Sequence, residues 1–159
     1  SGGIMLRKEL KLKDPNKIKE IIEQCTTCRI AMIADEKPYI LPMVFGYEWN
    51  ENLYLYFHCG LRGRKNAALK ENCLVCFEMD IEGELTGIGG PSYRHSRNFS
   101  AIIGEGNIEF AKSNIEKKEW FEHIMKHQTG KTGWEYPDAY LATTEVFRIK
   151  VSAFQASHK

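Results

Sequence analysis

The chain has 159 residues, of which 43% are hydrophobic, and its formal net charge is +1. This length favours one domain with a normal buried core. The near-neutral charge gives no general attraction to nucleic acids or membrane surfaces. No apolar run approaches the ~20 residues of a membrane-spanning helix. The first three residues, Ser1 to Gly3, have the composition of a tag remnant with no signal peptide after it, so we expect one cytoplasmic domain over residues 4–159.

Five cysteines occur in the chain. Cys25 and Cys28, like Cys73 and Cys76, have C-x-x-C spacing, so a zinc site of four thiolates is one interpretation. The second pair lies in a strand-like segment, where residues three apart point to opposite faces and cannot share a metal. Cys25 completes the apolar face of a helix. We therefore favour reduced thiols that pack as small hydrophobes, as in a cytosolic protein.

The first half of the chain reads as one helix followed by three antiparallel strands. Asp14 and Pro15 form a helix start, with an N-cap and a proline at the first helical position. Apolar residues then recur at helical spacing up to Cys25. The strands predicted next, separated by turns at 35–38 and 50–52, are Cys28–Ala34, Tyr39–Tyr47 and Leu53–His58.

The second half adds three more strands and two helices. A short helix is predicted over Lys65–Glu71, and a capping box at Ser113 opens another whose apolar side carries Trp120, Phe121 and Ile124. The strands predicted here are Leu74–Ile81, Phe99–Phe110 and Phe147–Val151, with a long loop over Glu82–Asn98. Gly104 and Gly106 indicate a bulge or a close backbone approach. Six strands without repeating strand–helix units predict an antiparallel barrel with peripheral helices.

Three short motifs fail as functional signatures. Gly130-Lys131-Thr132 lacks the earlier glycine of a phosphate-binding loop, and Gly87 to Gly90 lacks the strand and helix of a dinucleotide fingerprint. His123 and His127 are spaced as in zinc proteases, but the glutamate of that motif is absent. We interpret both histidines as solvated.

The segment His58 to Lys65 is the strongest functional signal. It lies where a predicted strand ends and a helix begins, and its glycines allow backbone N–H groups to approach an anion. Arg62, Arg64 and Lys65 add full positive charges. The pattern fits a phosphate-binding site and, equally well, a solvated basic turn.

Several segments together resemble the nitroimidazole-resistance group of the pyridoxamine-phosphate-oxidase-like flavoproteins. The resemblance covers nearly the whole chain, and the ordered set of segments is far more specific than any one of them. In chain order these segments are Cys28–Ala31, Pro38–Tyr47, Leu55–Gly60, Gly63–Lys65, Val75–Asp80, Ile102–Gly106 and Phe147–Val151.

This resemblance implies a split-barrel homodimer with two FMN molecules at the subunit interface. It implies that Gly63, Arg64 and Lys65 hold the FMN phosphate, and that His58 lies near the flavin and the substrate pocket. Ser100 is a candidate for a polar contact to FMN. The residues implied along the isoalloxazine edge are Pro42, Met43, Val44 and Phe45.

The leading functional hypothesis is an FMN-dependent oxidoreductase that reduces nitroaromatic compounds, with His58 as the proton donor. One alternative is a flavin-binding or flavin-storage protein without turnover, and another is a haem-binding relative with His58 as a ligand. A pyridoxamine-phosphate oxidase in the strict sense is disfavoured because a pyridoxal-phosphate pocket needs its own basic cluster. The remaining basic candidates, Arg94, His95 and Arg97, fall in the predicted loop.

Overall fold

The structure is a computed structural model that describes residues 10–159, with the side chains of residues 64 and 65 left out. The expected tag remnant at Ser1 to Gly3 lies outside the described residues. The helices are α1 Pro15–Gln24, α2 Arg64–Glu71, α3 Asn114–Thr129 and α4 Asp138–Leu141. The strands are β1 Lys11–Leu12, β2 Thr27–Ala34, β3 Lys37–Val44, β4 Gly46–Trp49, β5 Leu53–Gly60, β6 Leu74–Thr86, β7 Ser96–Phe110 and β8 Thr144–His158.

Within the described part of the chain, these eight strands form one antiparallel sheet. Its order is β3-β2-β6-β7-β8-β5-β4, and β1 pairs with the C-terminal end of β8. The two end strands, β3 and β4, are joined by the single residue Phe45. Because one residue cannot bridge the width of a flat sheet, the sheet curls until its two ends meet. The predicted antiparallel barrel with peripheral helices is therefore confirmed.

The strand number differs from the six predicted. The predicted strand over Tyr39–Tyr47 is two strands, because its partner changes at Phe45: β3 pairs with β2 up to Val44, and β4 pairs with β5 from Gly46. The short β1 had no sequence signal. The final strand is also longer than Phe147–Val151: it runs from Thr144 to His158 and pairs with β7 from Phe147 onwards.

The predicted long loop over Glu82–Asn98 is wrong at both ends. Strand β6 continues to Thr86 and β7 begins at Ser96, so the two strands form a ribbon whose register shifts between Glu82 and Leu85. None of residues 82–86 and 96–99 is buried, so this ribbon lacks the alternation that marks a half-buried strand. The connection that remains contains a single 3₁₀ turn at Ser92–Arg94.

The helix caps follow the predictions. The side chain of Asp14 accepts a hydrogen bond from the backbone N–H of Asn16 at 3.0 Å, and the side chain of Ser113 accepts one from the backbone N–H of Glu116 at 3.2 Å.

The predicted close approach at the late glycines is also found. A Cβ atom at Gly106 would lie 2.3 Å from the carbonyl oxygen of Lys150. The register of β7 and β8 shifts beside this glycine.

Two buried clusters flank the sheet. The larger fills the barrel, where α1 and α2 bury Ile22 and Leu69 against strand residues such as Phe57 and Phe77. The smaller lies between α3, α4 and the other face of β5, and includes Tyr56 and Trp120. Strand β5 is therefore covered on both faces. No helix among residues 10–159 is long and apolar enough to cross a membrane.

Helix α3 packs directly against the start of β4. The backbone of Gly46 lies so close to α3 that a Cβ atom there would be 2.2 Å from the carbonyl oxygen of His123. Any side chain at this position would push α3 away from the sheet.

We expect Gly46→Ala to lower the free energy of unfolding by at least about 2 kcal/mol, because the overlap is with backbone that cannot rotate away. Urea unfolding followed by circular dichroism measures this loss. Gly60→Ala is the matched control, since a Cβ atom there meets nothing within 4 Å. A Gly46 variant as stable as the Gly60 variant would contradict the close packing of α3.

Candidate functional site

Strand β3 presents two different faces. The side chains of Met43 and Phe45 are buried in the barrel core, whereas Pro42 and Val44 are exposed on its outer side. Of the four residues predicted along the isoalloxazine edge, two therefore offer an accessible side chain. All four contribute backbone to the same edge of the barrel, beside the junction with β4.

The outer face of β3 continues across β2 and β6 as an apolar surface. Ile33, Ile40 and Leu74 are exposed there, and Ile40 keeps 62% of its surface accessible. The pairing of β2 with β3 and β6 places Ala31 between Ile40 and Cys76. We call these five residues the outer apolar patch; they lie around a shallow cavity of about 380 Å³.

A charged network borders the outer apolar patch. The Arg29 guanidinium donates to Glu78 at 3.1 Å and to Asp80 at 2.9 Å. Desolvation, together with the neighbouring Asp80 carboxylate, raises the pKa of Glu78 despite the opposing effect of Arg29. The two carboxylates raise the pKa of Arg29 in turn, Glu78 more strongly than Asp80. The outer face of the sheet thus changes from apolar to ionic along the strands.

The N-terminus of α2 is open to an anion. Gly63 occupies the N-cap with a φ of 130°, so no side chain caps the first turn, and that turn contains no acidic residue. The first N–H groups of a helix lack partners inside the helix and carry partial positive charge. Arg62 is exposed beside them. The predicted phosphate ligands Arg64 and Lys65 begin α2, but their side chains lie outside the described residues.

Asn66 shapes this loop, a role that was not predicted from the sequence. Its buried side chain donates from Nδ2 to the carbonyl oxygen of Leu61 at 2.7 Å, which ties the loop to the first turn of α2. Its Oδ1 has no hydrogen-bond partner among the described residues. Asparagine has no pattern that marks it as a loop anchor in sequence, because its partner is a backbone carbonyl five residues earlier.

His58 lies near the end of β5, opposite Val146. Its half-buried ring packs at 5.0 Å from the ring of Phe121 on α3. Phe121 in turn contacts Tyr136 and Tyr140. The predicted catalytic histidine therefore borders an aromatic cluster. Along the chain, it lies just before the basic loop at Gly60 to Gly63.

Ser100 is engaged elsewhere in the chain. Its buried hydroxyl is 2.7 Å from Nδ1 of His158, on the neighbouring strand β8. It lines a cavity of about 350 Å³ together with Leu12, Lys17 and Ile81. The cavity's described lining includes none of the other residues predicted to hold FMN.

The interpretation of His123 and His127 as solvated is wrong. The side chain of His127 is only 2% exposed, and its Nε2 lies 2.6 Å from the carbonyl oxygen of Cys25. His123 stacks on Tyr56 at 4.6 Å, and its Nε2 lies 2.8 Å from Glu48. Burial lowers the pKa of His123 against the opposing effect of Glu48.

The C-terminal part of α3 holds the junction between β3 and β4. The side-chain amide of Gln128 donates to the carbonyl oxygens of Thr26 and Phe45, both at 2.9 Å. The ring of His127 packs 4.6 Å from that of Phe45. Helix α3 therefore positions the last residues of β3, which are predicted to lie along the flavin.

The donor set at the α2 loop fits a phosphate and no metal. Backbone N–H groups and basic side chains donate hydrogen bonds to anions, whereas metal ions are bound by electron-pair donors such as carboxylate, thiolate, imidazole or carbonyl groups. Among residues 10–159, no group of three or more histidines, cysteines, aspartates or glutamates could hold a metal ion. The five cysteines are free, and burial raises the pKa of the Cys25 thiol to about 11.

The sheet is antiparallel, its two end strands meet at one residue, and helices pack on its outside. These features define a split β-barrel. A sequence model of the pyridoxamine 5'-phosphate oxidase family matches residues 14–158. The chain therefore belongs to this family. Among curated protein sequences, none matches the chain significantly.

Solved structures agree with this assignment. A candidate 5-nitroimidazole antibiotic resistance protein from Bacteroides thetaiotaomicron is 28% identical, with a TM-score of 0.80 over 92% of this chain and 85% of that chain. A flavocytochrome from Azotobacter vinelandii is 16% identical (TM-score 0.77; 97% and 72% covered). An FAD- and haem-binding protein from Mycobacterium smegmatis is 13% identical (TM-score 0.77; 94% and 73% covered). The last two share the fold, and the resemblance to the nitroimidazole-resistance group is confirmed.

Proposed function

We propose that this protein binds FMN between two subunits and catalyses the reduction of nitroaromatic compounds. The observation that carries the proposal is the uncapped N-terminus of α2 at Gly63, which the chain reaches directly after β5, the strand that carries His58 and its aromatic surroundings. Support comes from the family and from similar structures described as a candidate nitroimidazole-resistance protein and as flavin-binding proteins.

The phosphate group of FMN matches the α2 loop. Backbone N–H groups of the first turn would donate to it, and Arg64 and Lys65 would supply charge-assisted hydrogen bonds. Asn66 would act indirectly, because it ties the loop to the helix. A cofactor with a terminal phosphate suits this site better than FAD, for which the chain contains no dinucleotide fingerprint.

The flavin ring would lie against Pro42 and Val44, whose exposed side chains give apolar cover. Helix α3 fixes the backbone there through Gln128, so the ring meets a surface that is already ordered. A bound flavin supplies hydride or single-electron transfer, and the protein contributes its orientation and surroundings. His58 would hold a proton at its ring nitrogen and donate it to the substrate, since an imidazole is suited to this role near neutral pH.

We expect Lys65→Ala to weaken FMN binding about ten- to a hundredfold, because one charge-assisted phosphate contact of roughly 1.5–3 kcal/mol is lost. Quenching of flavin fluorescence measures the dissociation constant, and circular dichroism verifies the fold. Lys70→Ala is the control, since Lys70 lies at the other end of α2 and pairs with Glu145.

An unchanged dissociation constant in the Lys65 variant would contradict the phosphate site.

The absorption spectrum of the purified protein separates the cofactors. Flavin bands support the proposal, whereas a Soret band would favour the haem-binding alternative with His58 as a ligand.

We expect His58→Ala to retain FMN and to lose about 10²–10⁴-fold in the rate of nitro reduction, which is the usual contribution of a general acid. The measurement follows reoxidation of photoreduced flavin by a 5-nitroimidazole without oxygen. His95→Ala serves as the control, because His95 is an exposed residue of the β6–β7 connection.

Equal rates in the His58 and His95 variants would contradict the acid role. If the flavin bound to the unmodified protein is reoxidised no faster than free FMN, the enzyme hypothesis is wrong and the flavin-storage alternative is favoured.

The outer apolar patch is the surface proposed for the partner subunit. Ile33, Ile40 and Leu74 are exposed together on one side of the sheet, and β3 carries the predicted flavin edge on that same side. Large contiguous apolar patches are uncommon on monomeric proteins. A second copy would cover this patch and the exposed side of the flavin at once.

We expect Ile40→Glu to convert the dimer to a monomer at micromolar concentration, because it would bury an unpaired carboxylate in the interface. Multi-angle light scattering measures the mass. Ile115→Glu is the control: Ile115 is 74% exposed, but it lies on α3, away from the patch. If the unmodified protein is a monomer with flavin bound, the interface proposal is wrong.

A further inference from the structure

The aromatic cluster beside His58 has an accessible side. Its centre is Phe121 of α3, whose ring lies 5.0 Å from the ring of His58. The rings of Tyr136 and Tyr140 lie 5.2 and 5.9 Å from the ring of Phe121. Phe121 is buried and Tyr136 is half-buried, whereas Tyr140 is 45% exposed. Tyr140 is therefore the member of the cluster that can best meet a ligand.

The strand register places Tyr140 close to the basic loop as well. Gly60, at the end of β5, pairs with Thr144, the first residue of β8. The hydroxyl of Thr144 donates a hydrogen bond to the carbonyl oxygen of Tyr140 at 2.9 Å. Gly60 is also the residue from which the chain enters the basic loop and α2. Tyr140 thus lies between the ring of His58 and the proposed phosphate loop.

Glu122 on α3 holds the segment that leads to Tyr140. Its carboxylate accepts hydrogen bonds from the backbone N–H groups of Gly133 and Trp134, at 2.8 and 3.1 Å. It also accepts one from the hydroxyl of Tyr136 at 2.6 Å. Desolvation acts to raise the pKa of Glu122, but these hydrogen bonds outweigh it and lower the pKa, so the carboxylate is charged at neutral pH. The chain from α3 to α4 is therefore ordered by one side chain.

The backbone of Tyr140 is fixed while its ring stays accessible. Its N–H donates to the carbonyl oxygen of Pro137 at 3.0 Å. Its carbonyl oxygen accepts hydrogen bonds from the hydroxyls of Thr143 and Thr144, both at 2.9 Å. An exposed aromatic ring on an ordered backbone can stack on a planar ligand with little further loss of conformational freedom. The ligand chemistry that suits it is a flat aromatic ring.

We propose that Tyr140 stacks on the aromatic ring of the substrate and determines the specificity of the site for planar nitroaromatic compounds. This inference rests on the proposed function. The rings of Tyr140 and His58 both contact Phe121, so a planar molecule that lies over Tyr140 can reach the imidazole of His58. Tyr140 binds the substrate ring, and the transfer of the proton is left to His58.

The test measures binding of a 5-nitroimidazole to the FMN-loaded full chain by equilibrium dialysis, with the flavin oxidised so that no reduction occurs. We expect Tyr140→Ala to weaken this binding at least about fivefold, because stacking and apolar contact are both lost. Tyr140→Phe should restore most of the affinity, since it keeps the ring. Tyr93→Ala is the matched control: Tyr93 is 82% exposed and lies in the β6–β7 connection.

Turnover provides a second measurement. Tyr140→Ala should raise the KM for the 5-nitroimidazole by a similar factor and leave kcat within about twofold, as expected when a contact to the substrate is lost equally in the ground state and the transition state. A loss of kcat without a change in KM would contradict the stacking role. Circular dichroism verifies that the variants keep the fold.

Four binding results would overturn the inference. They are no binding to the unmodified protein, unchanged binding in Tyr140→Ala, an equal loss in Tyr93→Ala, and a loss that Tyr140→Phe does not restore. A failure of the proposed function gives a different result. If the 5-nitroimidazole binds through Tyr140 but is not reduced, the proposed reaction is wrong and the stacking role of Tyr140 is retained.

Discussion

The contact between α3 and the junction of β3 and β4 determines how the rest of the molecule is arranged. Phe45 joins the two end strands of the sheet, so the barrel closes at this residue. Gly46 allows α3 to lie against it, and Gln128 binds its carbonyl oxygen. If this contact loosened, β3 would lose the support that fixes the direction of its exposed face. The contact that closes the barrel therefore also fixes the position of the proposed flavin edge.

In the proposed dimer, the exposed face of β3 would supply only one side of the flavin site. Its inward side chains belong to the core, and its outward ones lie in line with the outer apolar patch. The ionic network of Arg29 with Glu78 and Asp80 limits the patch along the strands. The proposed partner subunit would thus meet a defined boundary, which would favour one register over others.

Local signals predicted the caps at Asp14 and Ser113 and most strands, because they depend on neighbours in sequence. The split at Phe45 was not predictable, since the alternation of side chains continues while the pairing partner changes. The buried His127 was missed for a related reason: Cys25 and Phe45, which cover it, are distant in sequence. At the candidate site, the motif identified the basic loop, but the role of Asn66 depends on a backbone carbonyl that has no sequence signature.

The pairing of β5 with β8 has a consequence for how the chain folds. The hairpin of β2 and β3 and that of β4 and β5 join neighbours in sequence and can form quickly. The pairing of β5 with β8 instead joins residues such as Tyr54 and Lys150, which are separated by most of the chain. Contacts of such high sequence separation form slowly. During synthesis, β5 emerges long before the strand that pairs with it. The nascent chain therefore exposes the unpaired edge of β5 until β8 has been synthesised, and chaperones protect such intermediates from aggregation.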